Sequence, residues 1–278
     1  MTNAPAPTAT TLFDTHAHLH DRGFDSDREV VLARAREAGV GTIVTVGTDL
    51  AESAAAVELA SRHEDVWATV GIHPHDADQW GSEARSTFVR LAADPSTVAI
   101  GEIGLDFFRN LSPPEVQRRA FREQLALAVE LDLPVVIHSR DADAEVEPIL
   151  MEWAAAVPRR PRQPVGVLHC FSGDAELAVR YARAGFMISF AGVVTYPKND
   201  ALREAARAVG AESIVVETDC PYLTPQFKRG KRNEPAYVAE TARFIAELRG
   251  EGAAKFAKTT LENGRRLFRL PATAKMTR

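Results

Sequence analysis

Eight short runs rich in β-branched residues, at 12–16, 42–46, 66–70, 97–100, 134–138, 165–169, 186–190 and 213–217, alternate along the chain with stretches that suit helices. No other feature constrains the fold as much. A strand followed each time by a helix returns parallel to its predecessor, so the sheet is parallel and covered by helices. Eight such units in 278 residues suit a closed barrel better than an open doubly wound sheet. The stretch 113–131 shows the helical pattern: Val116, Ala120, Leu127 and Leu131 recur near the 3.6-residue period, and Pro113-Pro114 opens the first turn. Stretches 175–184 and 234–249 read the same way. The expected fold is an α/β (β/α)8 TIM barrel, a single domain over 11–270 with its site at the C-terminal ends of the strands. Disordered tails are expected at 1–10 and 271–278, where the residues show no periodicity.

Charge and composition narrow the function. A net charge of -5 argues against loose electrostatic adhesion to nucleic acid over the whole surface, so any nucleic-acid site has to be local. Cys170 and Cys220 are too few for a disulfide framework and read as small buried hydrophobes in a reducing compartment. No apolar run approaches the roughly 20 residues of a membrane span, and residues 1–10 lack the layout of a signal peptide. A cytoplasmic protein with no membrane partner is expected. The glycine patterns of dinucleotide-binding, P-loop and serine-hydrolase folds are all missing.

The ionisable residues carry the functional signal through their position. His16 and His18 end the first run, His73 follows the third, Glu102 the fourth, His138 and His169 end the fifth and sixth, and Asp219 lies just beyond the eighth. Closure of a barrel brings all of them to its mouth, where active sites of such folds lie. His16-Ala17-His18 has the period-two spacing that turns both imidazoles to one side of an extended chain, so the two nitrogens can grip one cation. A lone histidine ending an apolar strand is ordinarily a satisfied core residue. Two at one depth, beside an HxH and two carboxylates, would each need a separate buried partner, and metal ligation accounts for them together. Glu102 sits between Gly101 and Gly104, and its carboxylate has two oxygens able to bridge cations about 3.5–4 Å apart. Glu217 shares strand parity with Asp219; the latter, nearer the mouth, is expected to reach the metal, with Glu217 behind it. Asp14 shares the parity of His16 and reads as a supporting or structural group. His73 reads as a contact to substrate phosphate, and Lys228, Arg229, Lys231 and Arg232 as contacts to a phosphate backbone. His20 and His75 read as surface or loop residues, and His63 as a solvated helix end.

These residues stand in motifs that resemble those of the TatD family of metal-dependent deoxyribonucleases, within the amidohydrolase-like barrels. The motifs are Asp14-Thr15-His16-Ala17-His18-Leu19, Gly71-Ile72-His73-Pro74-His75, Gly101-Glu102-Ile103-Gly104-Leu105-Asp106, and PVVIHSRD at 134–141. Further along come His169-Cys170-Phe171-Ser172-Gly173, GFMISFAGV at 185–193, ETDCPYLTP at 217–225 and RGKRNEP at 229–235. The resemblance implies that His16, His18 and Asp219 hold one metal, that His138 and His169 hold another, and that Glu102 bridges them. It also implies 3′-to-5′ exonuclease action on DNA, at single strands or 3′ ends. The segment Arg159-Arg160-Pro161-Arg162 falls outside the motifs and reads as a surface loop.

Two facing divalent ions, Mg²⁺, Mn²⁺ or Zn²⁺, suit phosphodiester hydrolysis by a metal-bound hydroxide, with Asp219 or Glu102 orienting the water and accepting its proton. The same chemistry would serve a metal-dependent esterase or amidohydrolase, such as a D-aminoacyl-tRNA deacylase. The absence of a lysine for carboxylation after the fourth run, where Glu102 stands, counts against a phosphotriesterase-like site. A non-catalytic nucleic-acid-binding barrel is the remaining alternative, and the complete ligand set argues against it.

Overall fold

The computed structural model describes residues 12–158 and 160–271. The tails expected at 1–10 and 271–278 therefore lie outside the described residues, apart from Pro271, as does Arg159 of the expected surface loop; Arg160, Pro161 and Arg162 are exposed. Eight strands form one parallel sheet in sequential order: β1 Leu12–Ala17, β2 Val40–Val46, β3 Val66–Val70, β4 Thr97–Asp106, β5 Val135–Arg140, β6 Gly166–Leu168, β7 Phe186–Phe190 and β8 Ile214–Val216. Helices follow them: α1 Arg28–Glu37, α2 Leu50–Arg62, α3 Ser82–Ala92, α4 Pro114–Glu130, α5 Asp143–Ala156, α6 Ala175–Arg183, α7 Asp200–Ala208 and α8 Val238–Arg249, with a further helix α9, Ala253–Leu267. This is a (β/α)8 barrel in a single domain.

The ring closes through the residues just past β8. His18 N–H donates to Cys220 O at 2.8 Å, Asp219 N–H to His16 O at 2.9 Å, and Thr15 Oγ1 to Val216 O at 3.0 Å. The backbone bonds that seal the barrel therefore come from the residues that carry or flank the predicted ligands. Inside the ring, Phe13, Val44, Val46, Trp67, Ala99, Val136, Val167, Met187 and Val215 form one apolar cluster, and α9 adds Leu267 and the following Phe268 to it. That helix approaches β1 so closely that a Cβ on Gly264 would stand 2.5 Å from Phe13 Cδ1, which explains a glycine within a helix. A second, larger cluster fills the layer between strands and helices. No helix among the described residues is long and apolar enough to cross a membrane.

The strand bounds differ from expectation at the places that matter for the site. β4 runs six residues beyond the expected 97–100, because Gly101 and Gly104 let it continue at φ 157° and 151°. A Cβ at Gly104 would collide with the His138 carbonyl, and the pairing of β4 with β5 shifts register between Ile100 and Ile103. An irregularity of this kind re-aims a side chain, and Glu102 sits inside it. β6 and β8 are shorter than read, so His169 and Glu217 stand on the loops just past them.

Candidate metal centre

Glu102 lies at the middle of the mouth, 3% exposed, with imidazoles from four strands or their loops around its carboxylate. Its Oε2 faces His16 Nε2 at 3.4 Å. Its Oε1 faces His138 Nδ1 at 2.7 Å, His169 Nε2 at 2.7 Å and His73 Nε2 at 3.5 Å. The two oxygens are thus divided between two groups. On the first side His16 and His18 bring their Nε2 atoms to 3.3 Å from one another, and Asp219 Oδ1 lies 3.6 Å and 3.4 Å from them. On the second side His138 Nδ1 and His169 Nε2 also converge to 3.3 Å. Burial alone would raise the Glu102 carboxyl, but His169, His73 and the hydrogen bonds from His138 and His16 outweigh it and hold the group well below the usual carboxylate range. For Asp219 too, His18 and His16 outweigh burial and lower the carboxyl. Both carboxylates are therefore ionised.

The second nitrogen of each imidazole shows what the first can do, because a neutral ring has one N–H and one lone pair. His18 Nδ1 lies 2.8 Å from the Val46 carbonyl, which only an N–H can satisfy, so Nε2 presents a lone pair. His138 meets a carboxylate at each nitrogen, Asp106 Oδ2 at 3.2 Å from Nε2 and Glu102 Oε1 at 2.7 Å from Nδ1; a cation held between Nδ1 and Glu102 would leave the ring's proton on Nε2, toward Asp106. His169 Nδ1 stands 3.4 Å from Glu217 Oε1, without hydrogen-bond alignment, and Nε2 faces inward. Metal-ligating histidines anchor their outer nitrogen to a carbonyl or carboxylate in this way. His73 is the reverse: its Nδ1 accepts the His75 N–H at 3.1 Å, so the proton of the neutral ring is on Nε2 and points into the site as a donor. It is spaced with Glu102 and His138 as a cation site would be, yet its polarity is that of a hydrogen-bond donor. Burial, then His138, keeps the His73 imidazole well below its ordinary value, in the neutral form.

Nitrogens facing at 3.3 Å cannot both present lone pairs without a cation or proton between them, and His16 Nδ1 has no hydrogen-bond partner. This donor set, with two groups of nitrogen and carboxylate oxygen sharing one glutamate, fits divalent cations. His16, His18, Glu102 and His16, His169, Asp219 are each spaced to hold one.

Supporting groups fix the candidate ligands. Asp219 adopts φ 56°, a left-handed conformation that Asp tolerates better than most residues. It is held there by the bond to His16 O and by Asp14, whose Oδ1 accepts the Thr218 N–H at 2.8 Å and whose Oδ2 accepts Thr218 Oγ1 at 2.6 Å. Asp14 is thus a brace between β1 and the loop after β8. Glu217 accepts the Cys170 N–H at 2.7 Å and Ser189 Oγ at 2.5 Å, fixing the turn that carries His169. Cys220 is buried, Cys170 is half-buried, and both are free thiols.

Expectations change at His20 and Arg232, and His75 and Asp106 gain partners that the sequence did not assign. His20 is buried, not a surface residue: it lies 2.9 Å from Thr45 Oγ1 and 2.5 Å from Glu52 Oε2, and burial, then His18, pushes its imidazole down to about 3. His75 lies 3.0 Å from Asp106 Oδ2 and packs edge-on against His73. Arg232 does not project from the basic run; its guanidinium pairs with Asp27 at 2.9 Å and 2.6 Å, reaches the Gly23 carbonyl, and covers the Phe24 ring at 4.5 Å. Arg229 and Lys231 are exposed beside it, with Arg229 over the Tyr196 ring, while Lys228 lies near Phe227 and Tyr237. Asp106 was given no role from sequence, although it shares the parity of Glu102 at the end of the same strand. Its one oxygen serves both His75 and His138. His63 lies apart, capping α2 and 3.3 Å from Glu29.

A barrel whose mouth gathers such a centre from β1, β4, β5, β6 and β8 defines the class: this is a metal-dependent hydrolase of the (β/α)8 kind. Residues 13–269 match the profile of the TatD related DNase family. The chain belongs to that family. It is 41% identical over 259 residues to an uncharacterized metal-dependent hydrolase, YabD, of Bacillus subtilis, spanning 93% of this chain and 99% of that one. It is 42% identical over 265 residues to the 3′-5′ ssDNA/RNA exonuclease TatD of Pectobacterium carotovorum, spanning 93% and 100%. Among solved structures, the TatD homologue YjjV of Escherichia coli superposes with a TM-score of 0.87 at 32% identity, over 94% of this chain and 99% of that one.

Proposed function

We propose that this hydrolase removes nucleotides from single-stranded DNA ends in the 3′-to-5′ direction, using two divalent ions of the Mg²⁺, Mn²⁺ or Zn²⁺ class. The observation that carries the two-ion reading is the division of the Glu102 carboxylate, with Oε2 toward His16 and Oε1 toward His138 and His169. In this reading His16, His18 and Asp219 hold one ion, His138 and His169 the other, and Glu102 touches both. Divalent ions supply Lewis acidity there: they acidify water and offset the charge that builds on a phosphoryl group and its leaving oxygen.

The protein's own groups do the rest. Asp219 Oδ1 faces His16 and His18, so its remaining oxygen, Oδ2, orients the attacking water and takes its proton. His73 donates from Nε2 to a phosphate oxygen, the role its fixed tautomer supports. Arg229 and Lys231, on the loop after β8, meet the phosphate backbone without reading sequence. Asp219 is 9% and Glu102 3% exposed, so the centre lies below the rim, where a flexible single strand reaches and a stiff duplex does not. The name of the Pectobacterium relative supports the same substrate and direction.

Purified protein, stripped of metal and resupplied, should degrade 3′-ended single strands and leave an aminoacyl ester intact. Hydrolysis of the ester with no action on DNA would reject the nuclease reading while keeping the metal centre.

A further inference from the structure

Phe108 stands on the loop after β4 with 58% of its surface exposed. It follows Asp106 by two residues. Beside it, Arg140 ends β5, two residues beyond His138, and the Phe107 N–H donates to the Arg140 carbonyl at 3.0 Å, which ties the two strand ends together. The Arg140 guanidinium lies over the Phe108 ring, 3.9 Å from its centroid. One face of the ring is thus covered by a cation, and the ring remains largely open to solvent. Among the described residues no carboxylate lies within ion-pair distance of Arg140.

An exposed aromatic ring backed by an unpaired cation, at the rim of a phosphate-handling centre, has the chemistry of a base-stacking platform. Every nucleobase has a π-face that stacks on such a ring, and the guanidinium beside it matches the adjoining phosphate. Two residues of strand lift the platform about 6–7 Å above His138, so the base it meets adjoins the phosphate at the centre. In a ring of eight strands β4 is opposite β8, which puts Phe108 across the mouth from Arg229 and Lys231. We propose that Phe108, stiffened by Arg140, stacks the unpaired nucleobase next to the scissile phosphate. This rests on the phosphodiesterase reading above and adds that the preference for single strands is enforced by a ring that only an unpaired base can cover.

The test uses the metal-loaded protein and oligonucleotides carrying one abasic residue at each of the last three positions in turn. In the native protein, loss of the base at one position should raise KM about 5- to 100-fold with little change in kcat, as for a contact made equally in ground and transition states. Phe108→Ala should raise KM for the intact oligonucleotide by a similar factor and should no longer distinguish the abasic substrate at that position. Phe108→Trp should retain the discrimination. Circular dichroism and metal content should not change, since the side chain is exposed. If Phe108→Ala still discriminates the abasic position as the native protein does, or if no position matters in the native protein, the platform is refuted while the nuclease stands. Failure of the native protein to cleave any oligonucleotide overturns both readings together.

Discussion

Replacing Asp106 by Asn should disarm one side of the centre without touching any of the proposed ligands. Asp106 is fully buried; its Oδ1 accepts the Arg109 N–H at 2.8 Å, and its Oδ2 lies 3.0 Å from His75 Nε2 and 3.2 Å from His138 Nε2. Burial would raise this carboxyl, but His138 and the Arg109 N–H outweigh it and hold it well below the carboxylate range, so it accepts at both oxygens. An amide accepts at only one. If its oxygen stays with Arg109, its NH2 confronts the N–H groups of two histidines; if it turns over, the NH2 confronts the Arg109 N–H. The first arrangement is relieved by moving the His138 proton to Nδ1, which aims an N–H at Glu102 and removes the lone pair that the proposed ion needs. Loss of an anchoring partner of this kind lowers metal affinity about 10- to 100-fold, or roughly 1.4–2.7 kcal/mol. The mismatched buried donor should cost about 1–3 kcal/mol of stability as well. Calorimetric metal titration of the stripped protein should show one of two sites weakened, and excess metal should recover much of the activity. Two sites of native affinity with native turnover would refute the reasoning from tautomers.

Four further outcomes follow from the same reading. Glu102→Gln keeps size and removes the charge shared by both groups, so occupancy of at least one site should fall and activity should drop by orders of magnitude with an unchanged circular dichroism spectrum; near-native binding of two ions would exclude a bridging role. A chelator should abolish hydrolysis and Mg²⁺ or Mn²⁺ restore it, and full activity in protein shown to be metal-free by elemental analysis would end the metal-dependent reading. Arg229→Glu with Lys231→Glu should raise KM for oligonucleotides and flatten its salt dependence. Arg232→Met should instead lower the melting temperature and leave the salt slope alone: Arg232 holds the Asp27 carboxyl below its ordinary 3.8, so the stabilisation is present above that pH, and the gap to the native protein should close as pH falls below it.

The fold was legible because its signal is local. Alternation of period-two runs with 3.6-period helices is written residue by residue, and parallel return plus length leaves few alternatives to a barrel. The positions of His16, His18, Glu102, His138, His169 and Asp219 were legible for the same reason: a strand's C-terminal end is a one-dimensional feature, and the fold maps all such ends to one mouth. Their neighbours escaped. Arg232 stands in the basic run with Arg229 and Lys231, and only the packing of the loop after β8 against the segment leading into α1 pairs it with Asp27. Asp106 stands in a motif beside Glu102, but its service to two histidines depends on the register of β4 against β5.

By itself, then, the sequence determined which residues arrive at the mouth, since strand order and strand ends follow from periodicity. Only the tertiary structure decided what each arriving group can do. A histidine is donor or ligand according to what its far nitrogen meets, whether the Val46 carbonyl at His18, Asp106 at His138, or a backbone N–H at His73, and that partner is set by three-dimensional packing and side-chain direction, about which sequence spacing carries no information.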